Sequence, residues 1–313
     1  MRIAVTGATG FVGRHLCKHL ADQGHAVRAL TRTPARAGGL PQSVEQVAGD
    51  IFNRAALDRL CDKADAVIHL VGIIMENPGK GITFERMHVE ATRNIVAAAQ
   101  AAGVLRYVHM SALGSRLDAR AEYHRTKFCA EEIVRGSRLA WSIFRPSIIH
   151  GPAGEFTEMV AAWVRGQAPP FLFMPYFGSG PAGTGYRYHL QPVFVGDVAA
   201  AFELALHHPA AIREVYPLGG PDIVTWPQLL TTFRDAMPNA PKWRKPLPIP
   251  AWYAGSLARA FAFFGMQTLL PFNEAQVIMS QEESTCDISK VREHLGLSPR
   301  GFAESVATYA AGL

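Results

Sequence analysis

Ile3-Ala4-Val5-Thr6-Gly7-Ala8-Thr9-Gly10-Phe11-Val12-Gly13 decides how this chain is read. Met1 to Val5 form a short apolar run that breaks at once into glycines, and a helical pattern follows. A buried strand running through such glycines into a helix is what a dinucleotide pyrophosphate requires. Gly7 permits the tight turn, Gly10 lets backbone approach the phosphates, and Gly13 lets the helix pack closely on the strand. Thr9 lies between them in the same turn. The helix beginning near Phe11 turns its free N–H groups and positive dipole end toward the anion. Its apolar face, Phe11, Val12, Leu16 and Leu20, supplies the amphipathic context that glycines alone lack.

Outward from this motif, short apolar runs alternate with helical periodicity as far as residue 150. The strands predicted are Ile3–Thr6, Ala26–Thr31, Val44–Ala48, Ala66–Val71, Tyr107–Ser111 and Trp141–Arg145. The helices predicted are Phe11–Gln23, Asn53–Lys63, Phe84–Ala102 and Ala121–Gly136. Apolar strands alternating with helices specify a parallel sheet covered on both faces, with ligands at the carboxyl ends of the strands. The expected fold is α/β, a Rossmann-type doubly wound parallel sheet with a smaller, mostly helical C-terminal lobe. Residues 1–150 form the nucleotide-binding domain in this reading, with 192–212 returning to it. Residues 151–191 and 213–313 form the smaller lobe. Gly151 to Pro192 is rich in Gly, Pro and aromatic residues, as loops around a ligand cleft would be. Gln191 to Ala199 reads as a strand entering a helix, with Asp197 as its N-cap.

The chain has 313 residues, 49% of them hydrophobic, which is ample for one large core or two lobes. Its net charge of +5 comes from scattered cations with no Lys/Arg run, so nucleic acid is not an expected partner. Cys17, Cys61, Cys129 and Cys286 are far apart and suit free thiols in a reducing compartment. A first strand beginning at residue 2 leaves no room for a leader, so a cytoplasmic protein is expected. Residues 251–272 are rich in Trp, Phe, Leu and Ala, but Gly255, Ser256, Arg259 and Gln267 interrupt them and Pro271 closes them. That excludes a spanning helix, which needs about 20 nearly uninterrupted apolar residues. A helix packed in the second lobe is expected. The alternative is a helix resting on a partner, such as a respiratory complex, or on the inner face of a membrane, which would make the protein peripheral there.

After the second strand comes Thr31-Arg32-Thr33-Pro34-Ala35-Arg36, with no acid between His25 and Arg36. A free ribose 2′-hydroxyl would call for Asp or Glu there, whereas a guanidinium suits a 2′-phosphate. NADP(H) is therefore preferred over NAD(H). Gly49-Asp50-Ile51 follows the third strand, where Asp50 reads either as an adenine contact or as a helix cap. Tyr123 and Lys127, in Tyr123-His124-Arg125-Thr126-Lys127, fall one helical turn apart on one face. A nearby ammonium stabilises phenolate and would lower the Tyr123 pKa toward neutrality, making it a proton donor and acceptor for carbonyl chemistry. Ser111, at the end of the fifth strand, either hydrogen-bonds a substrate oxygen or satisfies local backbone.

Taken together, TGATGFVG, GDIF, VIHLVG, FERMHVEATRNIVAAA, YVHMSALG, YHRTK, FRPSIIHGP and QPVFVGDVA resemble, in their order, the extended or atypical branch of the short-chain dehydrogenase/reductase superfamily. The likeness runs over nearly the whole chain. VHVEAT, HMSALG and QPVFVGDVA are most similar to the subgroup that holds the short-chain-dehydrogenase-like accessory subunit of mitochondrial respiratory complex I and its bacterial relatives. That subgroup binds NADPH, held structurally in the mitochondrial subunit, and related proteins are linked to quinone metabolism. The resemblance implies cofactor contacts from Gly7, Gly10, Phe11, Val12 and Arg32, with Asp50 and Ile51 at the adenine. It puts Val71 and Gly72 along the ribose, and Tyr123, Lys127 and Pro146 at the nicotinamide end. Three departures stand out. The second residue of the usual Ser/Thr pair is Ala112, with Ser111 before it. The helix asparagine of the proton relay corresponds to His88. The alanine-rich segment after the fourth strand is Val71-Gly72-Ile73-Ile74.

No metal site is expected. His15 and His19 lie one turn apart with no third ligand, and His207-His208 near a helix end complement the dipole. The reading is thus an NADP(H)-dependent oxidoreductase acting on an unidentified carbonyl, alcohol or quinone-related substrate through Tyr123, Lys127 and Ser111. A non-catalytic NADPH-binding assembly protein is the alternative, and an epimerase or dehydratase ranks third. Tyr123→Phe distinguishes the first two.

Overall fold

In the computed structural model, residues 1–34, 38–185, 188–263, 270 and 272–313 are described. The first half alternates as the apolar periodicity requires: β1 (Arg2–Thr6), α1 (Phe11–Asp22), β2 (Ala26–Thr31), β3 (Glu45–Ala48), α2 (Arg54–Cys61), β4 (Ala66–His69), α3 (Ala91–Ala101), β5 (Arg106–Met110), α4 (Glu122–Arg135) and β6 (Ala140–Pro146). Then come β7 (Ile149–His150), α5 (Glu155–Arg165), β8 (Met174–Gly178), β9 (Val193–Phe194), α6 (Val195–His207) and β10 (Glu214–Leu218). The remainder is α7 (Trp226–Ala236), β11 (Pro246–Pro250), α8 (Ala251–Phe263), α9 (Glu274–Met279), α10 (Ser289–Leu295) and α11 (Phe302–Ala307).

Two compact units result. The first comprises Met1–Pro146, Val195–Leu218 and Asp287–Ser298. Its sheet has seven strands in the order β10-β6-β5-β4-β1-β2-β3, all parallel. This is the doubly wound fold that the alternation implies. The core on one face gathers Leu57, Leu60, Ile95, Val96, Tyr107, Val134 and Ile143 from α2, α3, α4 and the strands beneath. Helix α2 starts cleanly because the Asn53 side chain accepts from Ala56 N at 3.1 Å.

The second unit, Ser147–Phe194, Gly219–Cys286 and Pro299–Leu313, is mostly helical around two short parallel pairs, β8 with β11 and β7 with β9. Val160, Val164, Leu229, Phe233, Phe302 and Val306 form its core. A capping box, Thr225 with Gln228, opens α7.

Two expectations are corrected. Residues 213–313 do not lie wholly in the smaller lobe, because β10 pairs with β6 in the large sheet and α10 belongs to the same unit. Tyr216, buried in β10, stacks on Phe144 at 5.1 Å, so leaving the sheet would cost a large aromatic its cover. Helix α6 starts at Val195, so Asp197 is a buried residue of its first turn rather than the cap. Helix α8 turns only Ala254 and Ala258 inward, while Trp252, Tyr253 and Phe263 are 61%, 52% and 86% exposed. The rest of the apolar stretch, 264–269 and 271, lies outside the described residues, as does Arg36. Among the described residues no helix is long and apolar enough to cross a membrane.

Candidate functional site

The glycine turn between β1 and α1 is shaped for close backbone approach. Gly7 holds φ at +75°, and a Cβ there would stand 2.9 Å from the Leu70 carbonyl carbon and 3.0 Å from Val71 N. A Cβ at Gly13 would lie 2.2 Å from the Gly7 oxygen and 2.6 Å from the Ala8 Cα, so only glycine fits. Gly10 donates its amide to the Gly7 carbonyl at 3.1 Å, and it and Thr9 are exposed at the rim of the turn. Helix α1 then begins at Phe11 with no side-chain cap and no acid in its first turn. Its leading N–H groups therefore have no side-chain acceptor, which fits a bound pyrophosphate. Val12 is buried beneath.

Two further sequence-predicted residues follow the outer strands. Arg32 is exposed immediately after β2. Asp50 accepts from Phe52 N at 3.0 Å, closing a tight side-chain turn, and Asn53 rather than Asp50 caps α2. Ile51 is buried in the core with Leu30 and Val47.

After β4 and β5 the structure brings Gly72 and Lys127 together, with Tyr123 one turn before Lys127 on α4. A Cβ on Gly72 would lie 2.8 Å from Lys127 Nζ, so the bare glycine is what admits the ammonium. Lys127 is 3% exposed and donates to the Met110 carbonyl at 3.1 Å. Burial lowers its pKa to about 8, against the pull of Glu131. Tyr123 is half-buried, edge-on to His88 at 5.4 Å and to Phe84 at 5.9 Å. Burial pushes its phenol up to about 12. The lowering expected from Lys127 is absent, and burial alone moves the phenol.

Ser111 is placed at the end of β5 but directed into the protein. Its hydroxyl donates to Glu131 Oε1 at 2.6 Å. Glu131 is fully buried on α4 and also receives Arg145 through two bonds, 2.8 and 2.6 Å, and Arg135 at 3.0 Å. Of the two readings of Ser111, the structure favours the local structural bond. Pro146 ends β6, and its carbonyl accepts from Leu113 N at 2.9 Å, which ties down the loop after Ser111.

Sequence reasoning singled out His88 and missed the buried His69 and His109 that lie near it. His69 Nδ1 accepts from Thr6 at 2.6 Å, and its Nε2 donates to Thr92 at 3.2 Å. Thr92 spends its own proton on the His88 carbonyl at 2.6 Å, which sets that tautomer. His88 lies in a π-helical turn, Glu85–Glu90, at the head of α3. Its Nδ1 donates to Thr126 at 2.8 Å, and its Nε2 accepts from Ile73 N at 3.2 Å. Burial and Lys127 lower His88 to about 2 and His69 to about 3, so both are neutral at pH 7. His88 thus pins the backbone next to Gly72. His109 stacks on His69 at 5.5 Å, both its ring nitrogens without a hydrogen-bond partner. The signal was the row of histidines at strand ends, but a single imidazole on an apolar strand carries no such meaning by itself.

Known proteins resemble this chain in sequence and in fold. A family model described as NAD(P)H-binding matches residues 7–161. A Streptomyces griseus (4-alkanoyl-5-oxo-2,5-dihydrofuran-3-yl)methyl phosphate reductase is 31% identical over 224 residues, 71% of this chain and 69% of that protein. The chain belongs to the NAD(P)H-binding short-chain dehydrogenase/reductase family. Within this family it is also similar to the mitochondrial NADH dehydrogenase [ubiquinone] 1 alpha subcomplex subunit 9 of Arabidopsis thaliana, 30% identical over 266 residues. A Caulobacter vibrioides ceramide reductase is 38% identical over 151 residues, 48% of this chain. The chain spans 63% of the plant subunit's length, of which the match takes in 82% of this chain, and 47% of the ceramide reductase. In fold it matches a short-chain dehydrogenase/reductase superfamily protein from Agrobacterium tumefaciens with bound NAD, TM-score 0.72 at 21% identity, covering 100% of this chain and 96% of that one.

Proposed function

We propose that this family member is an NADP(H)-dependent reductase of a carbonyl or quinone-related compound. The observation that carries the reading is Tyr123, a phenol kept protonated by burial one helical turn from a buried Lys127 beside Gly72. The nicotinamide would supply the hydride when bound. Tyr123 gives its proton to the alkoxide that develops on the substrate carbonyl. A phenol with a raised pKa is a poor base but still protonates an alkoxide, which favours reduction over oxidation. Lys127, its ammonium already desolvated, holds the ribose hydroxyls. Arg32 neutralises the 2′-phosphate, and the head of α1 binds the pyrophosphate. Tyr123→Phe should keep nucleotide affinity and lose about 10²–10⁴-fold in turnover. NADPH oxidation against a panel of ketones and quinones, beside nucleotide titration of the same variant, measures both. Undiminished turnover in the variant would overturn the assignment.

A second reading has its own support, the exposed Trp252, Tyr253 and Phe263 of α8 and the likeness to a respiratory-complex subunit over 82% of the chain. Under it the nucleotide is a structural element, and the protein sits on a complex or on the inner face of a membrane. Tyr123→Phe then changes nothing. The epimerase or dehydratase reading gains no support, since the Ser111 hydroxyl is committed to Glu131.

A further inference from the structure

Away from the nucleotide site, three metal-binding side chains of the first unit converge. His25 stands immediately before β2, at the amino ends of the parallel strands, opposite to the ends that carry the glycine turn. Glu203 and His207 lie one turn apart on α6, so both project from one face of that helix. Glu203 Oε1 is 3.1 Å from His207 Nε2 and 3.4 Å from His25 Nε2. All three donor atoms fall within 4.8 Å of one another.

Those separations suit a cation. Four donors arranged tetrahedrally at about 2.0–2.1 Å from zinc stand roughly 3.3–3.4 Å apart, and two of the three edges here are already near that length. The side chains of His25 and Glu203 are 8% and 14% exposed, whereas that of His207 is 47% exposed. The triad is thus anchored inside and open on one side, where water completes the coordination. Two imidazoles and a carboxylate are a borderline donor set, suited to zinc-type cations rather than to calcium or magnesium. Beside it on α1, His19 keeps a buried Nε2 with no hydrogen-bond partner, and its imidazole responds to both Glu203 and His25. A metal on His25 Nε2 leaves the proton on Nδ1. The Met1 ammonium, 3.4 Å from Nδ1, cannot accept from that proton, and being exposed it turns away to water.

We propose that His25, Glu203 and His207 bind one divalent transition cation of the zinc type, joining the α1–β2 turn to the end of α6. The site is independent of nucleotide chemistry and acts as a structural latch on the helix through which the chain re-enters the large sheet.

The test uses the full chain, free of any affinity tag and stripped with a chelator, and titrates Zn²⁺ against a chromophoric competitor. The chain has 12 histidines, so weak binding elsewhere is a given and the difference between variants is what counts. One Zn²⁺ per wild-type chain, weakened at least tenfold by His207→Gln and by Glu203→Gln but not by His208→Gln, is the expected result. Equal affinity in wild type and His207→Gln overturns the proposal. Should Glu203→Gln misfold, Co²⁺ spectra of His207→Gln, altered at the most exposed ligand, decide the matter. A tetrahedral Co²⁺ band in wild type that disappears in this variant supports the site, and the same band in both refutes it.

Discussion

Tyr123 and Lys127 lie four residues apart on α4, and burial moves them in opposite senses, the phenol up to about 12 and the ammonium down to about 8. The same force acts on the imidazoles beneath. His69, held at about 3, stays neutral in the folded chain while its unfolded counterpart takes a proton near pH 6.5. The unfolded state therefore binds more protons between pH 6.5 and about 3, and stability falls as pH drops through that window. His88, at about 2, adds to the slope in the same direction. Each buried imidazole contributes up to about 1.4 kcal/mol per pH unit. Urea unfolding at pH 7.5 and 5.5 should show a clear acid loss, and His69→Gln should flatten it. A pH-independent midpoint would contradict the burial of these rings. Arg32 poses a separate residue-level question. If its guanidinium pairs with a 2′-phosphate, Arg32→Ala should weaken NADPH about 10–100-fold and leave NADH unchanged, as calorimetric titration of both nucleotides would reveal. Equal losses for both would mean that Arg32 does not discriminate.

The contact of β1 with α1 rests on a missing methyl group. Gly13→Ala would drive its Cβ to 2.2 Å from the Gly7 oxygen, a collision with backbone that no rotamer relieves. A loss of about 3 kcal/mol, in the range of overpacked sites, is expected together with loss of nucleotide affinity. Thermal unfolding and nucleotide titration of the variant check it, and a wild-type melting curve would refute it. This element was readable from sequence because its glycines, apolar strand and amphipathic helix are contiguous. The first six strands were equally readable, each apolar run appearing within two residues of its structural bounds. The π-helical turn at His88 was not, since Phe84–Ala102 has ordinary helical periodicity and the extra residue per turn leaves no trace in it. Nor was the bond from Ser111 to Glu131, which joins a strand end to a helix 20 residues on through a carboxylate that pattern alone would put in solvent.

At the scale of the whole molecule, helix α8 packs through its small residues. Its apolar composition suggested a packed helix, yet small Ala254 and Ala258 face inward and the large aromatics face out. If that face rests on a membrane, Phe263→Glu should abolish cosedimentation with anionic vesicles while leaving the melting temperature unchanged. Loss of folding would show instead that Phe263 is packed. Domain limits were half legible for a similar reason. Helix α6 follows a recognisable strand-to-helix motif, whereas Glu214–Leu218 is too short an apolar run to declare which sheet it joins. That late strand has a practical consequence. Phe144 in β6 is sandwiched by Phe202 of α6 at 4.7 Å and Tyr216 of β10 at 5.1 Å, and the buried Arg106 donates through its two terminal nitrogens to Ala140, Ser142 and Ala205. A recombinant fragment truncated after residue 146 would bare an aromatic ring, a strand edge and a guanidinium in one stroke. Dissection by simple cleavage after residue 146 cannot yield a working half of this protein, because the sheet and the core of its first unit are closed by segments that come later in the chain.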